Sequence, residues 1–168
     1  MNRFEKFIPL AIVSAGVLAY FNTFGVPFLL DDFHRIVNNP AVRDLSLMIP
    51  NSRSVVELTF RLNYLTGGLK TADYHLFNLA VHLVNGMLLY LLIRKTLSLA
   101  SSGWKNMSTA PWFAGIVSIF WVAHPMQTQS VTYICQRYES MMGLFMLLTL
   151  LFFVIAETSQ TNKRRWYA

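Results

Sequence analysis

Apolar positions along this chain gather into four runs separated by polar, proline-marked stretches. The first, Phe7–Phe24 (FIPLAIVSAGVLAYFNTF), is 18 residues without a charge and follows Arg3 and Lys6. About 18 apolar residues are enough to cross a bilayer. A cleaved signal peptide has a shorter apolar core and a small-residue end, whereas this run continues through Tyr20, Phe21 and Phe24. Residues 7–24 are therefore predicted as a first, uncleaved transmembrane helix. The second run, 74–93, stops at Arg94-Lys95. The third, 111–124, opens on Pro111, a favourable first-turn position. It reaches His124-Pro125 after about 20 Å of helix, short against a hydrocarbon core of about 30 Å. The fourth, 131–157, carries Arg137 and Glu139 in its first third, and Lys163, Arg164 and Arg165 follow it. Charges at membrane depth must face a cavity or a partner, so a water-accessible notch is expected where the third and fourth runs meet.

Between the first two runs lies a long mixed segment, 25–73, in which Pro27, Pro40 and Pro50 forbid one continuous helix. Within it Ser54–Leu65 is predicted as an amphipathic helix. Ser54 and Glu57 stand as a capping box, Val55, Leu58, Leu62 and Leu65 form an apolar stripe, and Gly67-Gly68 ends it. Glu57 and Arg61 are an i,i+4 pair. Such a helix can lie flat on a bilayer and roof a cavity. Residues 94–110 form a short polar loop with an Asn106-Met107-Ser108 sequon, and 158–168 a polar tail.

Polar residues inside the second run are not scattered. His75, Asn78, His82 and Asn85 recur at i, i+3, i+7 and i+10, one face of a helix. In lipid that face must meet other helices or a watery cavity. It serves as interhelical hydrogen-bond glue or as a substrate lining. A His/His metal pair is disfavoured, because the rings stand two turns apart.

Composition agrees with the pattern. Hydrophobic residues are 54% of the chain and charged ones 13%, half the charge of an ordinary soluble domain, and mean hydropathy is +0.41. The net charge of +6 does not form the basic stripe that nucleic acid requires; its bases flank apolar runs. With Cys135 the only cysteine, no internal disulfide is possible. No nucleotide-loop or zinc-helix motif occurs. With the N-terminus cytoplasmic, eight of the fourteen bases (Arg3, Lys6, Arg94, Lys95, Lys105, Lys163, Arg164, Arg165) fall in three inside segments. The 25–73 loop and the His124–Glu139 region are then external, and Asp31, Asp32, His75 and Arg137 converge on one side. The sequon falls on the cytoplasmic side.

The pieces of this pattern are a DD pair (31–32), T-F-x-x-N-Y (59–64), Y-H-x-x-N-x-x-x-H (74–82), H-P-x-x-T-x-x-V (124–131) and R-x-E (137–139). In this order they resemble the N-terminal membrane part of TMTC-like O-mannosyltransferases and of bacterial multispanning relatives with tetratricopeptide repeats, within the GT-C superfamily. The chain departs from that pattern at Arg53-Ser54, where the family often has Arg-Pro, and at Gln129, where eukaryotic members have Glu.

The resemblance implies an all-α integral membrane fold of about four transmembrane helices with a long external first loop, the N-terminal part of a GT-C fold. It implies sugar transfer from a polyprenyl-phosphate donor to a protein or glycan hydroxyl, by inverting displacement, with no cofactor assigned and metal use open. A first-loop carboxylate, Asp32 or Asp31, is the expected base. Arg137, with Arg53, His34 and Arg35 behind it, is expected to meet the phosphate. His34, His75, Asn78, His82, Gln129 and Glu139 are the expected pocket lining. His124-Pro125 is expected to be a helix-end motif. The family has more spans, so the chain is expected to be a fragment, a truncated product or half of a split enzyme, completed by further transmembrane helices. A bacterial inner membrane with both termini cytoplasmic is the expected location. The alternative from another class is a non-catalytic membrane scaffold; a transporter would carry its charges nearer the midplane.

Overall fold

Polar residues, not apolar ones, decide which helix faces turn inward in this protein. A computed structural model describes residues 4–44, 46, 51–99 and 109–166. Among them every regular element is helical and there is no strand. Helix α1 (Ile8–Tyr20) is flanked by 3-10 turns at Glu5–Phe7 and Phe21–Gly25. A π-helical turn at Phe33–Val37 and the short α2 (Pro40–Arg43) follow. The rest are α3 (Ser54–Gly67), α4 (Thr71–Leu99), α5 (Ala110–Ala123), α6 (Thr128–Thr132) and α7 (Arg137–Trp166). Arg3, Pro50, Lys105 and the Asn106-Met107-Ser108 sequon lie outside the described residues.

Among the described residues three helices are long and apolar enough to cross a membrane: Glu5–Gly25, Thr71–Ser98 and Ile134–Thr158. The third apolar run, α5, has 14 residues and falls short of them. The expected four spans thus resolve into three candidate spans and one short apolar helix packed among them. The fourth run is not one helix either. The chain breaks at Tyr133, passes through a 3-10 turn at Ile134–Gln136 and restarts as α7 at Arg137.

Helix α4 is the axis of the bundle. On one side α1 and α5 close against it through glycine contacts. A Cβ added at Gly16 of α1 or at Gly86 of α4 would overlap the Val122 side chain of α5, so small residues set the helix spacing, as is usual in lipid. Ile8, Ile12, Tyr90, Ala114 and Val122 form the core there. On the other side Leu88 of α4 packs on Leu147 and Leu151 of α7.

The polar stripe of α4 is fully inside: His75, Asn78, His82 and Asn85 are all buried. Three of them meet carbonyls that irregular chain or a helix end leaves open, and Asn85 meets one in the first turn of α7. His75 Nε2 donates to the Val26 carbonyl beyond α1 at 2.9 Å, and His82 Nε2 to Val122 near the end of α5 at 2.9 Å. The Asn78 amide reaches the carbonyls of Val131 and Ile134 at 3.4 and 3.3 Å. The Asn85 amide donates to Ser140 at 2.8 Å. These bonds are those of interhelical glue. An apolar environment holds no water to satisfy broken backbone, so side chains must do it.

Helix α3 turns its apolar stripe outward and its polar-bearing face inward. Val55, Leu58, Leu62 and Leu65 point outward, while Val56, Thr59, Phe60 and Asn63 are buried. The capping box does not form, because the Ser54 hydroxyl accepts the Asn51 N–H at 2.7 Å and the Glu57 N–H goes to the Arg53 carbonyl at 3.1 Å. Nor do Glu57 and Arg61 pair. Arg61 instead acts on Asp44, whose carboxyl is held below its ordinary range first by bonds from Ser46 and then by the guanidinium charge. The helix does end at Gly68, with φ +64°, a conformation that favours glycine.

Candidate active site

The irregular segments on either side of α3 and α6 meet at one end of the bundle, and the two aspartates stand where they touch. Asp32 is 1% exposed. Its Oδ1 accepts the Cys135 N–H at 2.7 Å and its Oδ2 the Leu29 N–H at 2.9 Å. This side chain ties the first loop to the break ahead of α7. Burial pushes its carboxyl above the ordinary value, against the two N–H donors that lower it. Asp31 differs from its neighbour in every respect: its side chain is exposed, and only its backbone N–H is engaged, donating to Tyr133 Oη at 2.9 Å. Its carboxylate forms no hydrogen bond among the described residues. The preceding Leu30 has φ 42°, the one positive value among described non-glycine residues. Such a conformation costs about 1–3 kcal/mol, and strain of that kind collects at functional sites. The π-helical turn that follows belongs to the same pattern.

Arg137, the expected phosphate ligand, is enclosed. Its exposure is 0%. Nε donates to Asn78 Oδ1 at 2.6 Å, Nη1 to Asn63 Oδ1 at 2.7 Å and to Thr59 Oγ1 at 3.1 Å, and Nη2 to the Tyr74 carbonyl at 3.0 Å. The rings of Phe77 and Phe60 cover it at 4.3 and 4.6 Å. Four of the five N–H groups of its guanidinium are thus spent on neutral partners in this structure. Its partner is neither a ligand nor an outer-loop acid; it locks α3, α4 and α7 together. T-F-x-x-N-Y, Y-H-x-x-N and R-x-E contain the parts of this lock.

Two other arginines take the open position. The Arg35 and Arg53 guanidinium groups lie over one ring, Tyr138, at 5.9 and 5.4 Å. Among the described residues neither forms an ion pair. Arg53 and Tyr138 border a cleft of about 510 Å³ between α3 and α7, whose floor is Val55, Val56, Met141, Met142 and Phe145. Glu139 lines the same cleft and is exposed.

The remaining expected pocket residues stay apart from this group, except that His75 is buried close enough to Asp32 for its charge to act on that carboxyl. His75, Asn78 and His82 are buried in the bundle, and His34 and Gln129 are exposed on the surface. Gln129 contributes its carbonyl to the Tyr133 N–H. His124 ends α5 and its side chain accepts the Met126 N–H at 3.2 Å, the predicted helix-end role. Neither Tyr133 nor Tyr138 is a specified position of the sequence motifs. Their only sequence signal is a pair of aromatic residues beside Arg137 at the mouth of a span.

This arrangement has relatives. A Xenopus laevis protein named protein O-mannosyl-transferase tmtc2 is 31% identical over 161 residues, covering 81% of this chain and 17% of its own length. The Caenorhabditis elegans protein O-mannosyl-transferase F38B6.6 is 29% identical over 163 residues, with 86% and 22% covered. The human protein O-mannosyl-transferase TMTC3 is 28% identical over 171 residues, with 91% and 17% covered. The chain is a relative of the TMTC protein O-mannosyl-transferases, and the match runs through most of it. It spans about a fifth of the length of these curated relatives. No family model and no solved structure matches the chain.

Proposed function

We propose that this chain forms part of a membrane glycosyltransferase of the GT-C kind, moving a sugar from a polyprenyl-phosphate donor to a hydroxyl on a protein or glycan. One observation carries the reading: an exposed carboxylate, Asp31, stands at the same end of the bundle as two guanidinium groups that have no carboxylate partner among the described residues, beside an apolar cleft. The cleft suits an isoprenoid chain, and Arg53 and Arg35 suit its phosphate. Asp31 takes the proton of the acceptor hydroxyl as that oxygen attacks the anomeric carbon. The bond from that carbon to the phosphate oxygen breaks, and the charge left on the phosphate falls to the two arginines. Attack opposite the leaving phosphate inverts the anomeric centre. With the N-terminus cytoplasmic, this end faces away from the cytoplasm, and further helices complete the pocket. The relatives' names make mannose the first sugar to test.

The test is transfer of labelled mannose from polyprenyl-phosphate-mannose, in membranes carrying the protein as the cell makes it. Losing a general base lowers rates by about 10²–10⁴-fold, so Asp31→Asn should lose at least about a hundredfold at unchanged protein level. Undiminished transfer would leave the scaffold alternative standing.

A further inference from the structure

The backbone at Leu30 is strained for no packing reason, since its side chain is 82% exposed and φ is 42°. Such a turn persists only where its surroundings over-determine it. Backbone bonds from the Asp32 and Phe33 N–H groups to the Leu29 and Leu30 carbonyls close the turn at 2.8 and 3.2 Å, and three bonds involving side chains fix it. Leu29 N–H binds Asp32 Oδ2 at 2.9 Å within the loop, Cys135 N–H binds Asp32 Oδ1 at 2.7 Å, and Asp31 N–H binds Tyr133 Oη at 2.9 Å. Two of the three come from the break between α6 and α7. Of all of them, only the Tyr133 bond grips Asp31 itself.

We propose that Tyr133 is a positioning residue for Asp31, its hydroxyl oxygen holding the Asp31 N–H so that the strained turn presents the exposed carboxylate at a fixed place. The proposal rests on the reading of Asp31 as the acceptor base. Tyr133 is itself anchored: its N–H donates to the Gln129 carbonyl at 3.2 Å, and its carbonyl lies 3.5 Å from the Asn78 amide. A chain of contacts therefore runs from the rigid α4 through Asn78 and Tyr133 to Asp31. Burial first, then the bracketing carboxylates, raise the phenol above its ordinary value, so Tyr133 stays protonated and adds no second negative charge beside the base.

Tyr133→Phe removes one oxygen and keeps the ring. A bond worth one to two powers of ten in positioning predicts that kcat falls about tenfold while KM for the lipid-linked sugar stays within about twofold. In the same variant, hydrogen exchange at the Asp31 amide should quicken about tenfold. Because glycine adopts positive φ without strain, Leu30→Gly placed on top of Tyr133→Phe should recover part of the lost kcat, which a purely structural tyrosine would not allow. Unchanged kcat and unchanged Asp31 exchange in Tyr133→Phe would overturn the proposal. Asp31→Asn run alongside separates the two ideas. Full transfer in that variant overturns the base reading, and exchange at the Asp31 amide still decides the clamp.

Discussion

Replacing Asn78 by Leu attacks the bundle where its polar interior is most concentrated. The Asn78 oxygen accepts a 2.6 Å bond from the Arg137 Nε, and its amide serves the carbonyls of Val131 and Ile134. A buried hydrogen bond to a charged group contributes about 1.5–3 kcal/mol. Interhelical bonds between neutral groups in lipid average nearer 0.6 kcal/mol, so the two long amide contacts add roughly another 1 kcal/mol. Leucine returns less than about 1 kcal/mol of apolar burial, because the site is already packed. The net loss is about 3 kcal/mol, or roughly two powers of ten in the folded-to-unfolded ratio. For a chain of this size that corresponds to a fall of about 6–12 °C in Tm. The assay is thermal unfolding of the detergent-purified protein, followed by loss of the monodisperse species. Asn78→Asp should be milder, since it keeps the acceptor and gives Arg137 a counter-charge. The reasoning fails if Asn78→Leu leaves Tm within a degree or two and yet abolishes transfer, because Asn78 would then face substrate.

Other outcomes follow from the same geometry. Arg53→Ala and Arg35→Ala should each raise KM for the lipid-linked donor about tenfold, the scale of one charge-assisted contact, with a smaller change in kcat; steady-state kinetics over donor concentration reads this directly. Gly86→Ala drives a methyl into Val122 and brings it within 3.4 Å of Ile12, so thermal unfolding should show a loss of about 1–3 kcal/mol, and Val122→Ala should restore most of it. Burial raises the Asp32 carboxyl, so the folded state favours its proton. Its contribution to stability is therefore fully present below the ordinary carboxylate range and is lost as pH rises through the elevated value. Relative to Asp32→Asn, the unaltered protein should lose Tm as pH rises over that window.

Much of this organisation is written in the polar residues. The i, i+3, i+7, i+10 spacing from His75 to Asn85 marks an inward face because lipid offers those groups no partner, and the structure buries all four. Apolar residues carry no such information. A leucine is equally content against lipid or against another helix, so the stripe of Val55, Leu58, Leu62 and Leu65 does not by itself say which way it faces, and it stands outside. In α3 the inward face is the one bearing Thr59 and Asn63, chosen by Arg137 from a helix more than seventy residues away. The same distance hid the fate of the aspartates. Adjacent carboxylates look equivalent in sequence, and Asp32 is singled out by the Cys135 N–H, freed only because the chain breaks at Tyr133. Arg137 was legible as a charge needing a partner, but not as one whose partners are all neutral. The pairing of Arg35 and Arg53 over Tyr138 joins three separate segments, and no spacing rule reaches that far.

The most direct test of the account sets the two neighbouring aspartates against each other. Asp31→Asn and Asp32→Asn are expressed in the same membranes, and each is scored for mannosyl transfer and for the amount of folded protein. The account predicts that Asp31→Asn abolishes transfer at full protein level. It predicts that Asp32→Asn lowers the folded amount, because an amide can accept only one of the two N–H bonds its carboxylate now holds. The reverse pattern, with transfer lost and folding intact at Asp32 while Asp31→Asn works normally, would contradict it.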